Sequence, residues 1–242
     1  MSRGIPKKKI SLNVPLQAQP TDTSCGPTCL HAVYAYYGDD IALQMVIDQI
    51  PSLETGGTLG VMLGLHALQR GYDVTLYSSN LRVIDPTWFQ PSVDLRSKLA
   101  LQAARCRGKR RTAAEAYLRF VEAGGRVRFE DLTGPLIRRY LQRETPILAG
   151  LSATHLYHIC REDPETGRDD DIEGAPLGHF VILSGYQAKR RRVTVNDPYQ
   201  KNPLSPRRLY HVPMDRLLNA ILLGVLTYDG NLLIVTPKPK AL

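Results

Sequence analysis

Three side chains in this sequence have the types that nucleophilic acyl chemistry needs: a cysteine at 25, a histidine at 179 and an aspartate at 197. Cys25 closes the run Gln19-Pro20-Thr21-Asp22-Thr23-Ser24-Cys25 and is followed by Gly26-Pro27. Residues 21–24 are rich in helix N-cap types, and Leu30, Val33, Tyr34 and Tyr37 follow at helical spacing before Gly38. A helix is therefore expected over 25–37. Its start would hold the sulfur among free backbone N–H groups at the positive end of the helix dipole, which favours the thiolate, the nucleophilic form. Gly26 is expected to let a substrate approach the backbone closely, and Pro27 suits a first helical turn. The amide of Gln19 could swing to the same spot and, with the Cys25 N–H, form an oxyanion hole.

A thiol nucleophile also needs a base and a group that orients the base. Gly178-His179-Phe180-Val181-Ile182-Leu183 starts as a strand at the histidine, and Val193-Thr194-Val195-Asn196-Asp197 ends as one at the aspartate. If these strands pair as a hairpin through residues 187–191, strand start and strand end lie side by side. A hydrogen bond between His179 and Asp197 would then fix the imidazole tautomer.

Other elements must carry these groups. Helices are expected over 41–50 and 58–70, then a strand over 72–78. Further helices are expected over 93–107 and 112–123, joined by a turn at 107–111. A short strand over 126–130 and a helix over 135–143 follow. The last third reads as strands at 146–152, 179–186, 192–197 and 231–236, with a helix near 215–222. Residues 1–15 read as a loose basic arm, and 162–176 as an acidic loop that could act as a lid. Helices first and an antiparallel sheet after suggest an α+β class. The 242 residues are taken as one catalytic domain, 1–242, with a basic, largely helical insert at 80–145. Between 96 and 143 there are 13 Lys and Arg against four Asp and Glu, a net +9 that accounts for the whole chain's +8.

Composition excludes several classes. With 43% hydrophobic and 22% charged residues, the chain has enough apolar surface to fold. Nineteen glycines and four cysteines are too few for a collagen-like chain or a disulfide-rich miniprotein. The longest apolar run, 217–228, is interrupted by Asn219 and falls short of a bilayer span, and residues 1–16 lack an apolar signal core. A cytoplasmic location and no membrane partner are expected, with Cys25, Cys29, Cys106 and Cys160 as free thiols. Cys29, one turn after Cys25, should face the core. His155, His158 and Cys160 match no closed zinc site, and Asp169-Asp170-Asp171 with Glu173 lacks the full EF-hand spacing, so no metal is assigned. The Arg107–Arg111 run reads as a solvated turn, and nucleic acid is not an expected partner.

As a set, these signals resemble the Peptidase_C39-like family of the papain-like cysteine peptidase superfamily. The resemblance rests on Gln19 six positions before Cys25, on Cys25-Gly26-Pro27-Thr28-Cys29-Leu30 and on Tyr36-Tyr37-Gly38. It rests also on His179-Phe180-Val181, Asp197-Pro198, Gly56-Gly57-Thr58 and Gly71-Tyr72-Asp73-Val74, and covers roughly 15–80 and 135–200. It implies a papain-like α+β fold, with N-terminal helices packed on a C-terminal antiparallel sheet. It also implies the roles: Cys25 as nucleophile, His179 as base, Asp197 as orienting residue, Gln19 as oxyanion donor, and no cofactor. Ser24 departs from the aspartate of many members, and residues 80–145 lengthen the Cys-to-His interval. The best-known relatives are joined to ABC exporters and cut leader peptides after Gly-Gly. This chain is read as stand-alone, so that specificity does not carry over. Stand-alone members are often associated with ATP-grasp ligases, which implies peptide tailoring. The expected activity is thiol-dependent cleavage of a peptide or amide bond through a thioester. The alternatives are acyl or peptidyl transfer by the same thioester, and a non-catalytic binder using the basic face. An acidic peptide or an acyl-carrier-like protein would suit the charge of the insert.

Overall fold

The computed structural model describes residues 9–53 and 56–238. In chain order the elements are β1 (Lys9–Ser11), α1 (Cys25–Tyr36), α2 (Leu43–Gln49), α3 (Gly60–Gln69), β2 (Tyr72–Ser78), α4 (Leu95–Arg105), α5 (Gly108–Glu122) and β3 (Arg126–Arg128). They continue with α6 (Gly134–Gln142), β4 (Ile147–Ser152), α7 (Ala153–Tyr157), β5 (Gly178–Gln187), β6 (Arg192–Asn196), β7 (Leu209–Pro213), α8 (Met214–Leu223) and β8 (Asn231–Pro237).

The expected α+β class holds, with one sheet ordered β3-β2-β8-β4-β5-β6-β7 and β1 paired to β5. Every residue at 25–34 is buried, because α1 is enclosed between α2, α3 and the sheet. A helix that is apolar on all sides survives only in such a place. One apolar cluster joins α1 and α3 to Phe180, Ile182 and Leu233. The other joins α6 and α8 to Val181, Leu183 and Leu232. Alternate residues of β5 thus feed the two clusters, which is the period-two signature of a strand covered on both faces.

Several expectations need correction. The sheet is not confined to the C-terminal third, since β1, β2 and β3 join it, and β2–β3 is a parallel pair. Lys9–Ser11, read as part of a loose arm, pairs antiparallel with Gly185–Gln187, because that stretch of β5 leaves an edge beyond its pairing with β4. Residues 1–8 of that arm lie outside the described residues. Strand β7 and the short α7 were not expected. Helix α5 begins at Gly108 rather than 112, so Lys109, Arg110 and Arg111 stand in its first turn instead of in a connecting turn. Gly108, at φ +56°, makes that turn possible, and the Thr112 hydroxyl back-bonds to the Gly108 carbonyl at 3.5 Å as an interior helical residue does. Among the described residues, no helix is long and apolar enough to cross a membrane.

The hairpin expected from the sequence forms, but with a register change that matters for the site. Gln187 opposes Arg192 and Gly185 opposes Thr194, whereas Leu183 opposes Val195. The extra residue is Ser184, whose carbonyl accepts the Leu12 N–H at 2.7 Å and whose hydroxyl donates to Asn196. A bulge of this kind shifts the strand's alternation by one. Beyond it Ile182 faces Asn196, so the next pair in that register is Val181 with Asp197. Asp197 thereby gains the same parity as His179, two residues along, at the diagonal distance where side chains still meet.

Candidate active site

Helix α1 presents Cys25 at its first residue, 9% exposed. Ser24, at the N-cap position, does not cap the helix. Its hydroxyl donates to the Thr21 carbonyl at 2.9 Å and accepts from the Thr21 N–H at 3.0 Å. The segment before the helix therefore folds on itself, leaving the helix start without a side-chain acceptor. An uncapped start offers its N–H groups and positive dipole end to an anion. A Cβ at Gly26 would come within 2.9 Å of Thr58 and 3.1 Å of Leu63 and Phe180. Close packing of α1 on its neighbours, rather than substrate approach, is what requires glycine there.

His179 and Asp197 are both buried, Asp197 completely. Nε2 of His179 donates to Oδ1 of Asp197 at 2.8 Å, which leaves Nδ1 as the ring nitrogen open to Cys25, in the same cleft. Burial by itself disfavours the imidazolium. The charge and hydrogen bond of Asp197, then the hydrogen bond and charge of Cys25, reverse this and push the ring up to about 10. Burial likewise works against the Asp197 carboxylate. The His179 charge and hydrogen bond, with two tyrosine hydroxyls, nonetheless hold it below the usual carboxylate range.

Those tyrosines were not anticipated. The hydroxyls of Tyr157 and Tyr210 each donate to Oδ2 of Asp197 at 2.6 Å, and the Tyr199 N–H donates to Oδ1 at 2.9 Å. Asp197 thus accepts four hydrogen bonds, close to the capacity of a carboxylate. Tyr157 ends α7 and Tyr210 lies on β7, the two elements the sequence reading lacked. Both elements are five residues long, and Leu209–Pro213 alternates in burial only once folded.

Gln19 is anchored beside this group, its backbone N–H donating to the Pro198 carbonyl at 2.9 Å. Its side-chain amide donates to the Thr21 carbonyl at 3.0 Å, and Oε1 is buried without a hydrogen-bond partner. Cys29 is fully buried and its thiol donates to the Phe180 carbonyl at 3.3 Å, so it faces the core as expected. The rings of His155 and His158 pack edge to face at 5.7 Å. Among the described residues, no group of three or more metal-ligating side chains is gathered.

Cys25 and His179 line a cleft of about 200 Å³ with Thr58, Lys109, Leu177 and Asp229 among its walls. Residues 176 and 177, where the acidic loop ends, belong to it. Asp229 is a second buried carboxyl there. Burial pushes it up to about 8, against the opposing effects of the Lys109 charge, the Asn231 amide, the His179 charge and the Gly60 N–H. A carboxyl whose folded value is raised costs the fold stability as pH climbs from its unfolded value, about 4, through its folded one. Asp229→Asn is therefore expected to raise the melting temperature, with a gain that grows between about pH 4 and pH 8. Thermal melts across that range check this, and a gain that is flat with pH would contradict it.

Residues 104–214 match the model of the Peptidase_C39 like family. The resemblance read from the motifs is borne out over this segment, which holds His179 and Asp197 but begins beyond Gln19 and Cys25. No curated protein matches the sequence. Among solved structures, a double glycine motif protease from an AMS/PCAT transporter, in complex with the leader peptide, is 16% identical. That alignment covers 94% of each chain with a TM-score of 0.44. The peptidase domain of Streptococcus ComA is 14% identical over 93% of this chain and 100% of that one, with a TM-score of 0.44. Xylellain, a cysteine protease from Xylella fastidiosa, is 13% identical over 97% and 88%, with a TM-score of 0.46. In this chain the thiol stands on a helix and the imidazole on a strand.

Proposed function

We propose that the chain hydrolyses peptide bonds with Cys25 as nucleophile, His179 as base and then acid, and Asp197 as the residue that orients His179. The observation that carries this reading is that Cys25 and His179 line one cleft while the His179 ring is hydrogen-bonded to Asp197 at 2.8 Å. His179 takes the thiol proton through Nδ1, and the sulfur attacks the substrate carbonyl carbon. The oxyanion draws on the uncapped N–H groups at the start of α1, and on Gln19 if its amide exchanges Thr21 for the substrate. Collapse of the tetrahedral species breaks the C–N bond. The amine leaves with the proton from His179, and the acyl group remains on sulfur as a thioester. Water, losing a proton to His179, then releases the acid and restores the thiol.

Alkylation with iodoacetamide near neutral pH tests the activated thiol. Cys25 is more buried than Cys106, so access alone predicts slower reaction at Cys25. The proposal expects the reverse, with Cys25 modified about tenfold faster or more. Equal rates, or faster reaction at Cys106, would overturn it.

A further inference from the structure

The first turn of α5 carries a cation into the same cleft. Lys109 lines it together with Cys25, His179 and Asp229. Its ammonium lies 4.9 Å from the centroid of the Tyr228 ring, and the Arg82 guanidinium lies 4.8 Å from the same centroid. Among the described residues, neither cation has a carboxylate within the 4.0 Å of an ion pair. Helix α5 has no side-chain cap, so the positive end of a 15-residue helix adds to the same field.

Asp229 is the second, independent feature. It is 5% exposed, and its Oδ1 is buried without a hydrogen-bond partner. An unpartnered oxygen in a cleft wall, beside the equally unpartnered Oδ1 of Asn231, leaves polar capacity that a ligand can use. The corner that carries it is unusual. Tyr228 holds the left-handed region at φ +70°, and the Asn80 amide fixes its carbonyl at 3.0 Å. Such conformations persist where the surroundings enforce them, often at binding sites. Gly178 keeps the opposite wall thin, because a Cβ there would lie 3.1 Å from Asp229 Oδ2 and 2.8 Å from Thr227 Oγ1.

We propose that Lys109 and Asp229 form a subsite for a carboxylate of the substrate peptide, next to the bond that Cys25 attacks. This rests on the hydrolytic reading of Cys25 and adds a substrate class to it. Lys109 and Asp229 both line the cleft, and Arg82, on the same Tyr228 ring but outside the cleft lining, adds to the positive field at Lys109. Burial favours the protonated form of Asp229 at neutral pH, and that form can donate its O–H to a carboxylate while Lys109 supplies the opposite charge. A substrate ammonium would meet Lys109 instead. The carboxylate can come from an Asp or Glu side chain or from a peptide C-terminus.

Charged methanethiosulfonates read this subsite without knowledge of the natural substrate. Cys25 sulfur attacks the reagent's sulfenyl sulfur, methanesulfinate leaves, and a mixed disulfide forms. The measured quantity is the ratio of rates for the anionic sulfonatoethyl reagent and the cationic trimethylammonioethyl reagent. Lys109→Gln is expected to lower this ratio about fivefold, and Lys109→Arg to keep it within about twofold of the parent. The neutral methyl reagent should react with all three proteins at similar rates, which reports an intact site. A ratio in Lys109→Gln within about twofold of the parent overturns the proposal. The ratio is read whatever the absolute rate at Cys25. A sluggish thiol therefore counts against the catalytic reading, and the ratio still judges the subsite. Protection from iodoacetamide identifies the source. N-acetylglutamate α-amide offers only a side-chain carboxylate, and N-acetylalanine only a terminal one. Protection by either that disappears in Lys109→Gln supports the subsite and names the source. Protection by neither, or protection that persists in the variant, overturns it.

Discussion

Replacing Cys25 by serine is expected to lower peptide hydrolysis by about 10⁴-fold or more, which is about 5.5 kcal/mol of transition-state stabilisation. The substitution changes little else. Position 25 opens α1, and a hydroxyl of similar size is tolerated at a helix start, so stability should shift by no more than about 1 kcal/mol. The loss comes from the atom. A serine oxygen gives up its proton far less readily than sulfur. His179→Gln should cost a comparable factor, because the thiol then has no base. The double variant should be hardly worse than either single one, since groups that act as a unit are non-additive. Hydrolysis assays on the two single variants and the double variant measure this, with a thermal melt on each to confirm folding. More than a tenth of the parent rate in Cys25→Ser would remove sulfur from the mechanism.

How much of this site could be read from the sequence depended on where each residue sits in its element. Cys25 and His179 were legible because each opens an element. Helix caps and strand alternation are local signals, and they locate element ends well. Asp197 was found for a reason that was only half sufficient. Continuing the regular pairing of Gln187 with Arg192 along an unbulged hairpin sets Asp197 opposite Ile182, on the other face from His179. The bulge at Ser184 corrects the parity, and nothing in Leu183-Ser184-Gly185 announces it. It depends on β1 taking the Ser184 carbonyl through Leu12, from a segment read as a loose arm. Tyr157 and Tyr210 were hidden for a related reason: a five-residue helix and a five-residue strand carry too few turns or alternations to stand out. Lys109 and Asp229 are separated by 120 positions and meet only because α5 packs beside α3, with Tyr117 bonded to Ser78 at 2.9 Å. Charge counting located the basic segment but not the single lysine that enters the cleft.

Removing the Asp197 carboxylate is the other change of large expected effect, and it separates positioning from support. Asp197→Ala leaves the His179 Nε2–H and the hydroxyls of Tyr157 and Tyr210 buried without acceptors. Breaking such a buried network costs about 3–5 kcal/mol. Asp197→Asn keeps the shape. Its oxygen can still accept, and its NH₂ can donate to a tyrosine oxygen, so most of that stability should return. Activity should not return with it. A neutral amide neither balances the imidazolium nor enforces the tautomer, and a loss of about 10⁴-fold is the scale expected for that defect. The pH dependence carries the same signature. Asp197 is lowered in the folded state, so its contribution is present above about pH 4 and fades as pH falls further. His179 is raised to about 10, so its contribution is complete below about pH 6.5 and is lost as pH rises through the folded value. The stability gap between the parent and Asp197→Ala should therefore be widest between about pH 4 and 6.5 and narrow on both sides. Thermal melts and hydrolysis rates across pH, measured on all three proteins, test both halves. An Asp197→Asn variant within tenfold of the parent rate would make Asp197 a structural residue only. A stability gap that ignores pH would mean that the His179–Asp197 pair is not the charged pair its hydrogen bonds describe.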